Sequence, residues 1–313
     1  MIYFLTLPKG AGHIDLFINR YDRAYGRRLG EMTYQQLLQR GSAPPGAYIF
    51  TDRDRMTMPQ RKLADAIRQR LLNAGPGFKV LGDPLHQLGR FELLDTLAKD
   101  GINDYRVHLL SNLDPKAIRY PVFVRIEDDH SGPKSELLST WPEVVKACAG
   151  LVLSGYKEDR ILIVEYVETQ GEDGLYRKYG SFRIGSKIVC QHILHSTVWL
   201  GKRESTLRTP ELIALSDQFF QDNPHEGILM PHFERAGIEY GRIDYSFAGD
   251  HIQIWEINDN PMFVGRNPNR ISKVNKGAKF MDAFDLLDAD LPQAKPVDLS
   301  LNLDDIEMAV AQR

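Results

Sequence analysis

Cysteine is almost absent: Cys148 and Cys190 are the whole complement, far apart and without a metal-ligand spacing. That excludes a disulfide framework and a cysteine-based zinc site. Long hydrophobic runs are missing too. No apolar stretch approaches the roughly 20 residues of a membrane span. The opening Met1-Ile2-Tyr3-Phe4-Leu5-Thr6-Leu7 lacks the basic flank and cleavage site of a signal peptide, so it reads as a first strand. Nor is there an excess of positive charge, since 39 Lys and Arg against 42 Asp and Glu leave a formal net charge of -3. A broad nucleic-acid surface needs surplus cations to displace counterions, so nucleic acid is not an expected partner. A reducing cytoplasm without membrane attachment is the expected location.

What is present is an ordinary globular composition over 313 residues, enough for two or three lobes with separate interiors. Strand-like runs at 2–7, 47–51 and 78–81 alternate with helical patterns, clearest at 59–73, where Leu63, Ile67 and Leu71 recur at four-residue spacing. Such alternation predicts a parallel α/β lobe. The amphipathic stretch from Arg90 to Lys99, stopped by Asp100-Gly101, closes this first domain, 1–103. From 104 to 168 the order strand, strand, helix, strand predicts a small second α/β lobe. The third, 169–313, holds strand runs at 178–189 and 191–198, helices at 210–221 and 225–236, a hairpin, and a helix from about 272 to 287. Beyond Asp288 an acidic, proline-broken tail is expected to be mobile, with a short terminal helix. The basic residues Arg53, Arg55, Arg61, Lys62, Arg68 and Arg70 read as a solvated helix face.

The hairpin carries the chemistry. Arg242-Ile243-Asp244-Tyr245-Ser246-Phe247 and His251-Ile252-Gln253-Ile254-Trp255-Glu256-Ile257-Asn258 flank Ala248-Gly249-Asp250, a turn-forming tripeptide. Period two puts Arg242 and Asp244 on one side of the first strand, and Glu256 and Asn258 with Ile252 and Ile254 on one side of the second. A three-residue loop pairs Phe247 with His251, Asp244 with Ile254 and Arg242 with Glu256, so the four polar groups share a face. A slip of one residue would move Glu256 to the other side. Oxygen ligands of this kind suit Mg²⁺, which takes one or two carboxylates plus substrate phosphates. A plain cross-strand ion pair of Arg242 with Glu256 is the alternative.

The string Arg242-x-Asp244, followed across the hairpin by Glu256-x-Asn258-x-x-Pro261, resembles the C-terminal signature of the ATP-grasp ligases, which include D-alanine-D-alanine ligase-like and glutathione-synthase-like enzymes. Gly237-Ile238-Glu239-Tyr240-Gly241 looks like the lead-in to that strand. The resemblance covers about residues 80 to 290 and implies an ATP-grasp fold behind an N-terminal parallel α/β (pre-ATP-grasp) domain. It implies ATP with Mg²⁺, or Mn²⁺ in its place, held by Asp244, Glu256 and Asn258, with Arg242 facing the γ-phosphate as the catalytic residue. Tyr120-Pro121-Val122-Phe123-Val124-Arg125 looks like the strand ending in an ATP-binding lysine, here Arg125, and Arg90 stands at the place of the other family lysine. A guanidinium still binds phosphate, with altered geometry.

After Arg125 the family places a Gly/Ser-rich flap; here it is Asp128-Asp129-His130-Ser131-Gly132-Pro133, whose backbone near Ser131 and Gly132 would contact phosphate or read substrate. Ile161–Val167 resembles the interlobe hinge, implying that main-chain groups of Glu165, Tyr166 and Val167 bind the adenine edge. Glu172 and Asp173 are both available for the ribose. Lys178 and Arg183 are the expected basic residues of the next strand, with Gly180 where arginine is usual. Gly10-Ala11-Gly12 reads as a tight turn, and His192 and His195, three apart on a strand, face opposite ways. The implied activity joins a small-molecule or peptide carboxylate to an amine through an acyl phosphate, releasing ADP and phosphate. An ATP-grasp phosphotransferase and a non-catalytic nucleotide-binding scaffold are the rival readings, and a homodimer is left open.

Overall fold

Parallel pairing requires a crossover between strands, which the alternating first segments supply. In the computed structural model, which describes residues 1–21, 26–200, 206–263 and 276–301, they run β1 (Ile2–Thr6), α1 (Asp15–Tyr21), β2 (Leu29–Thr33), α2 (Tyr34–Arg40), β3 (Ser42–Ala43), β4 (Gly46–Phe50), α3 (Met58–Asn73) and β5 (Phe78–Leu81). The sheet order is β2-β1-β4-β5, with every pair parallel. Helix α3 starts where Thr57 and Gln60 cap each other: the Thr57 N–H donates to Gln60 Oε1 at 2.8 Å and the Gln60 N–H to Thr57 Oγ1 at 3.4 Å. It buries Ala64, Ile67 and Leu71 against the sheet. The segments α1, β2 and α2 lie in a stretch for which the sequence pattern predicts no element.

The second group comprises α4 (Arg90–Lys99), β6 (Val107–Leu109), β7 (Val122–Ile126), α5 (Trp141–Leu153) and β8 (Ile161–Glu165), with the antiparallel sheet order β6-β8-β7. The third has β9 (Tyr176–Ile184), β10 (Lys187–Ser196), β11 (Thr206–Leu207), α6 (Pro210–Asp222), α7 (Glu226–Ala236), β12 (Tyr240–Ala248) and β13 (His251–Asn258), ordered β11-β10-β9-β12-β13. Gly185, at φ 59°, turns the chain between β9 and β10 inside the run expected to be continuous. Two further elements close the described chain, α8 (Lys276–Asp288) and β14 (Val297–Asp298).

Packing crosses the boundaries drawn along the chain. Leu93, Leu94 and Leu97 of α4, expected in the first domain, enter a core with Tyr105, Val164, Phe233, Tyr245 and Ile254. Helix α8 sends Phe280, Met281, Phe284 and Leu287 into the core formed by Ile2, Phe4 and Ile49 of the parallel sheet together with Phe182 and Ile184 of β9. No helix among the described residues is long and apolar enough to cross a membrane.

The tail expected to be mobile carries a short strand that the sequence pattern does not predict. Strand β14 pairs antiparallel with β3, Leu299 N–H donates to Gly41 O at 3.0 Å, and the Leu299 side chain is buried among Tyr34, Tyr48 and Phe78. Apolar spacing alone missed it because Leu299 is a single anchor in a polar stretch. The expected terminal helix, and the start of the helix near 272, lie outside the described residues. Leu299→Ala is expected to lower unfolding free energy by about 2–5 kcal/mol in a denaturant titration, as for other buried leucines. A mobile tail would give no change.

Candidate active site

Strand β12 turns into β13 through Gly249-Asp250, with Ala248 paired to His251 and Phe247 to Ile252. The loop therefore has two residues, one fewer than the sequence predicts. Continued unchanged, that register would pair Asp244 with Trp255 and turn Glu256 to the opposite face. A bulge prevents this: pairing passes from Tyr245↔Ile254 to Asp244↔Glu256, leaving Trp255 as the extra residue. Its backbone neighbourhood is held from outside the hairpin, where Asn103 accepts from Ile254 N–H at 2.8 Å and donates to Ile254 O at 3.0 Å. The Trp255 ring stacks on Tyr105, centroids 5.1 Å apart, and its indole N–H donates to Ser246 Oγ at 2.9 Å. Asp244 thus stands directly opposite Glu256 and Arg242 opposite Asn258, all on one face. Ile252 and Ile254, expected beside Glu256, pair instead with Phe247 and Tyr245 on the apolar side.

Both carboxylates are held by cations. Arg242 runs along its own strand and donates from Nε to Asp244 Oδ1 at 2.8 Å, and Lys178 Nζ lies 3.3 Å from Asp244 Oδ2. Arg90 and Arg125 both reach Glu256 Oε2, at 2.6 and 2.8 Å. Arg90 is anchored by donating from Nη1 to the carbonyls of Ile126 and Glu127. Burial would raise both carboxyl pKa values. The guanidiniums of Arg90 and Arg125 outweigh it at Glu256, as Arg242 and Lys178 do at Asp244, so both are held below the ordinary range. Asn258 Oδ1 accepts from Asn260 N–H at 2.9 Å, while its amide nitrogen lies 3.4 Å from His130 Nδ1. Across the cleft His130 Nε2 meets Asp54 Oδ2 at 2.5 Å.

No protein-family model matches the chain, and no curated protein does. Solved structures do. D-alanine-D-alanine ligase from Bacillus anthracis superposes with a TM-score of 0.53 at 10% identity, over 91% of this chain and 95% of that one. The same enzyme complexed with ATP gives 0.52 at 10% identity over 91% and 95%. The Coxiella burnetii D-alanine-D-alanine ligase gives 0.53 at 14% identity, over 92% and 95%. The chain has the ATP-grasp fold.

On this ATP-grasp scaffold the other expected residues divide. Lys178, Arg90 and Arg125 join the hairpin face; Arg183 does not. Asp244 pairs with Gly180, so Lys178, two residues away, shares its side of β9, while Arg183 has the opposite parity. Its guanidinium is spent on Gly185 O at 2.8 Å and Ile238 O at 3.1 Å. In the expected flap, Asp129 accepts from the Ser131 N–H at 2.7 Å and from Ser131 Oγ at 2.9 Å, and Gly132 takes φ 90° beside it. In the segment expected to form the hinge, Glu165 N–H donates to Arg106 O at 3.0 Å and Tyr166 N–H to Pro121 O at 2.9 Å, which leaves the Val167 N–H as the remaining expected donor. The Glu165 carboxylate accepts from the backbone of Arg106 and Arg119, both at 3.1 Å, so it braces the lobe. Of the two acids offered for the ribose, Asp173 is engaged by Arg177.

Sequence reasoning missed Trp199, whose ring lies 5.1 Å from Phe123 and 5.8 Å from Tyr166, an apolar wall beside the hinge. It also left Arg53 and Arg61 on a solvated face, whereas both line a cavity next to Arg90 and His130. Their eight-residue separation around the start of α3 was the available signal.

Two glycines explain departures in the same region. A Cβ on Gly10 would sit 1.9 Å from Asp52 Oδ2, so the early glycine turn makes room for a carboxylate. A Cβ on Gly180 would sit 2.6 Å from the His192 ring, which fills the space that a side chain at this position would need. Burial first, and then the Arg242 charge, hold the His192 pKa well below its ordinary value, so the ring stays neutral there. Gly180→Ala is expected to destabilise the protein by about 1–3 kcal/mol, as overpacked cores do. An unchanged melting temperature would show that the ring moves aside at no cost.

Proposed function

We propose that this chain is an ATP-dependent carboxylate-amine ligase that binds Mg-ATP against the β12–β13 face. The observation that carries this reading is the opposition of Asp244 and Glu256 across the hairpin, with Arg242, Lys178, Arg90 and Arg125 bonded to them. Four cations surround two carboxylates. Such a surplus suits a polyphosphate that brings its own divalent ion. Among the described residues no group of three or more His, Cys, Asp or Glu side chains gathers as a metal centre. The two carboxylates and the Asn258 oxygen fit an ion that draws its remaining ligands from phosphate and water, as Mg²⁺ does; Mn²⁺ would be accepted by the same oxygens. Bound there, the ion would offset repulsion between triphosphate and an incoming carboxylate.

The chain's own groups then have defined tasks. With Mg-ATP bound, Arg90, Arg125 and Lys178 would hold phosphate oxygens, leaving Glu256 and Asp244 to hold the ion. Arg242, locked to Asp244, stabilises charge developing on the transferring phosphoryl group. The substrate carboxylate oxygen bonds to the γ-phosphorus as the bond to ADP breaks. The amine then attacks the acyl carbon, the acyl C–O bond breaks, orthophosphate leaves with the amine proton, and an amide remains. His130, tied to Asp54 in the other lobe, holds the 128–133 loop over the cleft and limits water access.

A panel of carboxylic acids and amines screened for ADP release, with mass detection of products, tests this. An amide with equimolar ADP and orthophosphate is the expected result. ADP without orthophosphate, and phosphate retained on the product, would make the chain a phosphotransferase instead.

A further inference from the structure

Beyond the edge of β13, on the N-terminal side of the hairpin face, lies a cavity of about 180 Å³ lined by Arg53, Arg61, Arg90, Arg160, His130 and Ile257 among others. That is roughly six times a water's share of liquid volume, room for one compact group. Six carboxylates line it as well, and all but Asp159 are engaged by donors of the chain, with the buried Oδ1 of Asp259 left without a partner among the described residues. Glu92 accepts from Gly89 N–H at 2.7 Å, Glu127 from Phe91 N–H at 3.0 Å, Asp128 pairs with Arg160 at 2.8 Å, Asp54 with His130 at 2.5 Å, and Asp259 accepts from Arg53 N–H at 2.7 Å.

Arg61 differs. Its one side-chain hydrogen bond runs from Nε to Arg53 O at 3.2 Å, and it forms no ion pair with a described residue. Arg53 has only a long contact of 3.8 Å to Glu92, and its Nε is buried without a partner. Burial first, and then the Arg53 and Arg160 charges, hold the Arg61 pKa below its ordinary value against the opposing charges of Glu92 and Asp54. The floor is glycine for a reason: a Cβ on Gly89 would lie 2.9 Å from Glu127 Oε1 and 3.1 Å from Arg53 Nη1. A buried guanidinium donor without an acceptor, next to an arginine that forms no ion pair with a described residue, leaves two positive groups on this wall for an acidic group to meet.

We propose that Arg61 and Arg53 bind an anionic group of the acid substrate in this cavity, so that the substrate carries a second carboxylate besides the one that reacts. This rests on the ligase reading above. The group held here is not the reacting one, because Arg90 stands between the cavity and Glu256, and Ile257 presents the opposite face of β13. The substrate then spans from Arg61 past Arg90 to the hairpin face, which selects dicarboxylic over monocarboxylic acids.

Calorimetric titration of the whole protein with succinate, glutarate, adipate, butyrate and inorganic phosphate tests it, with Mg-ATP titrated in parallel. At least one dicarboxylate should bind about tenfold more tightly than butyrate, as loss of a charge-assisted contact implies. Arg61→Gln should remove that preference, Arg61→Lys should recover part of it, and Mg-ATP affinity should stay unchanged in both. The proposal is overturned if no dicarboxylate binds the wild type, if butyrate binds equally well, if phosphate alone binds, or if Arg61→Gln retains the preference. Failure of the wild type to bind Mg-ATP would instead remove the ligase reading, whatever the acids do.

Discussion

Glu256→Gln should abolish ATP-dependent turnover and destabilise the fold together. The amide keeps the shape but removes the charge that would meet the divalent ion. It also leaves Arg90 and Arg125 facing each other with no anion between them. The two guanidiniums are 6% and 11% exposed, so water offers little relief. Breaking a buried ion pair from one side costs on the order of 3–5 kcal/mol. The effect depends on pH in a defined direction. Because the folded Glu256 carboxyl is held below its ordinary value of 4.5, its contribution to stability is present above that pH and fades as pH falls through the lowered folded value. Wild type and variant should therefore differ most in denaturant titrations at neutral pH and converge in acid. Asp244→Asn should lose turnover at a smaller structural cost, since its partner Lys178 is 36% exposed and can turn to solvent. Wild-type turnover in either variant would remove the metal role from the hairpin.

Arg242→Lys should give a folded, Mg-ATP-binding, slow enzyme. The sequence places Arg242 opposite Glu256; the bulge places it opposite Asn258 and sends its guanidinium to Asp244 instead. Lysine keeps the charge and one bond to Asp244 but loses the planar fork. If the fork stabilises the transferring phosphoryl group, its loss should cost on the order of 2.7–4 kcal/mol, about 100- to 1000-fold in turnover, with Mg-ATP affinity changed far less. Unchanged turnover would make Arg242 a structural partner of Asp244 alone. Turnover, Mg-ATP affinity and thermal midpoint need to be measured on one preparation.

Local signals located most of the elements around the cleft. Helix α4 has the bounds read from its amphipathic stretch and from Asp100-Gly101 after it, and β5 spans the four residues read as a strand. The shared face of Arg242, Asp244, Glu256 and Asn258 was legible too, although two errors cancelled in reaching it. The loop is one residue shorter than expected, and a bulge adds one residue back. Period two cannot detect a bulge beside Ile254, whose backbone N–H and C=O are bonded by Asn103 from a distant part of the chain. Parity alone separates Lys178 from Arg183, once Gly180 is known to pair with Asp244. The shared Glu256 partner of Arg90 and Arg125 was not legible, because it joins α4, β7 and β13. The cavity at Arg61 was hidden for the same reason: a basic helix looks solvated until the neighbouring lobe covers it.

Calorimetric titration of ATP with and without Mg²⁺, on wild type and Asp244→Asn, tests the hairpin site most directly because it needs no knowledge of the acid or the amine. The account predicts that Mg²⁺ tightens ATP binding to the wild type by about tenfold or more, and that Asp244→Asn loses this gain while remaining folded and more stable than Glu256→Gln. Equal ATP affinity with and without Mg²⁺ in the wild type, or a Mg²⁺ gain retained in Asp244→Asn, would contradict it.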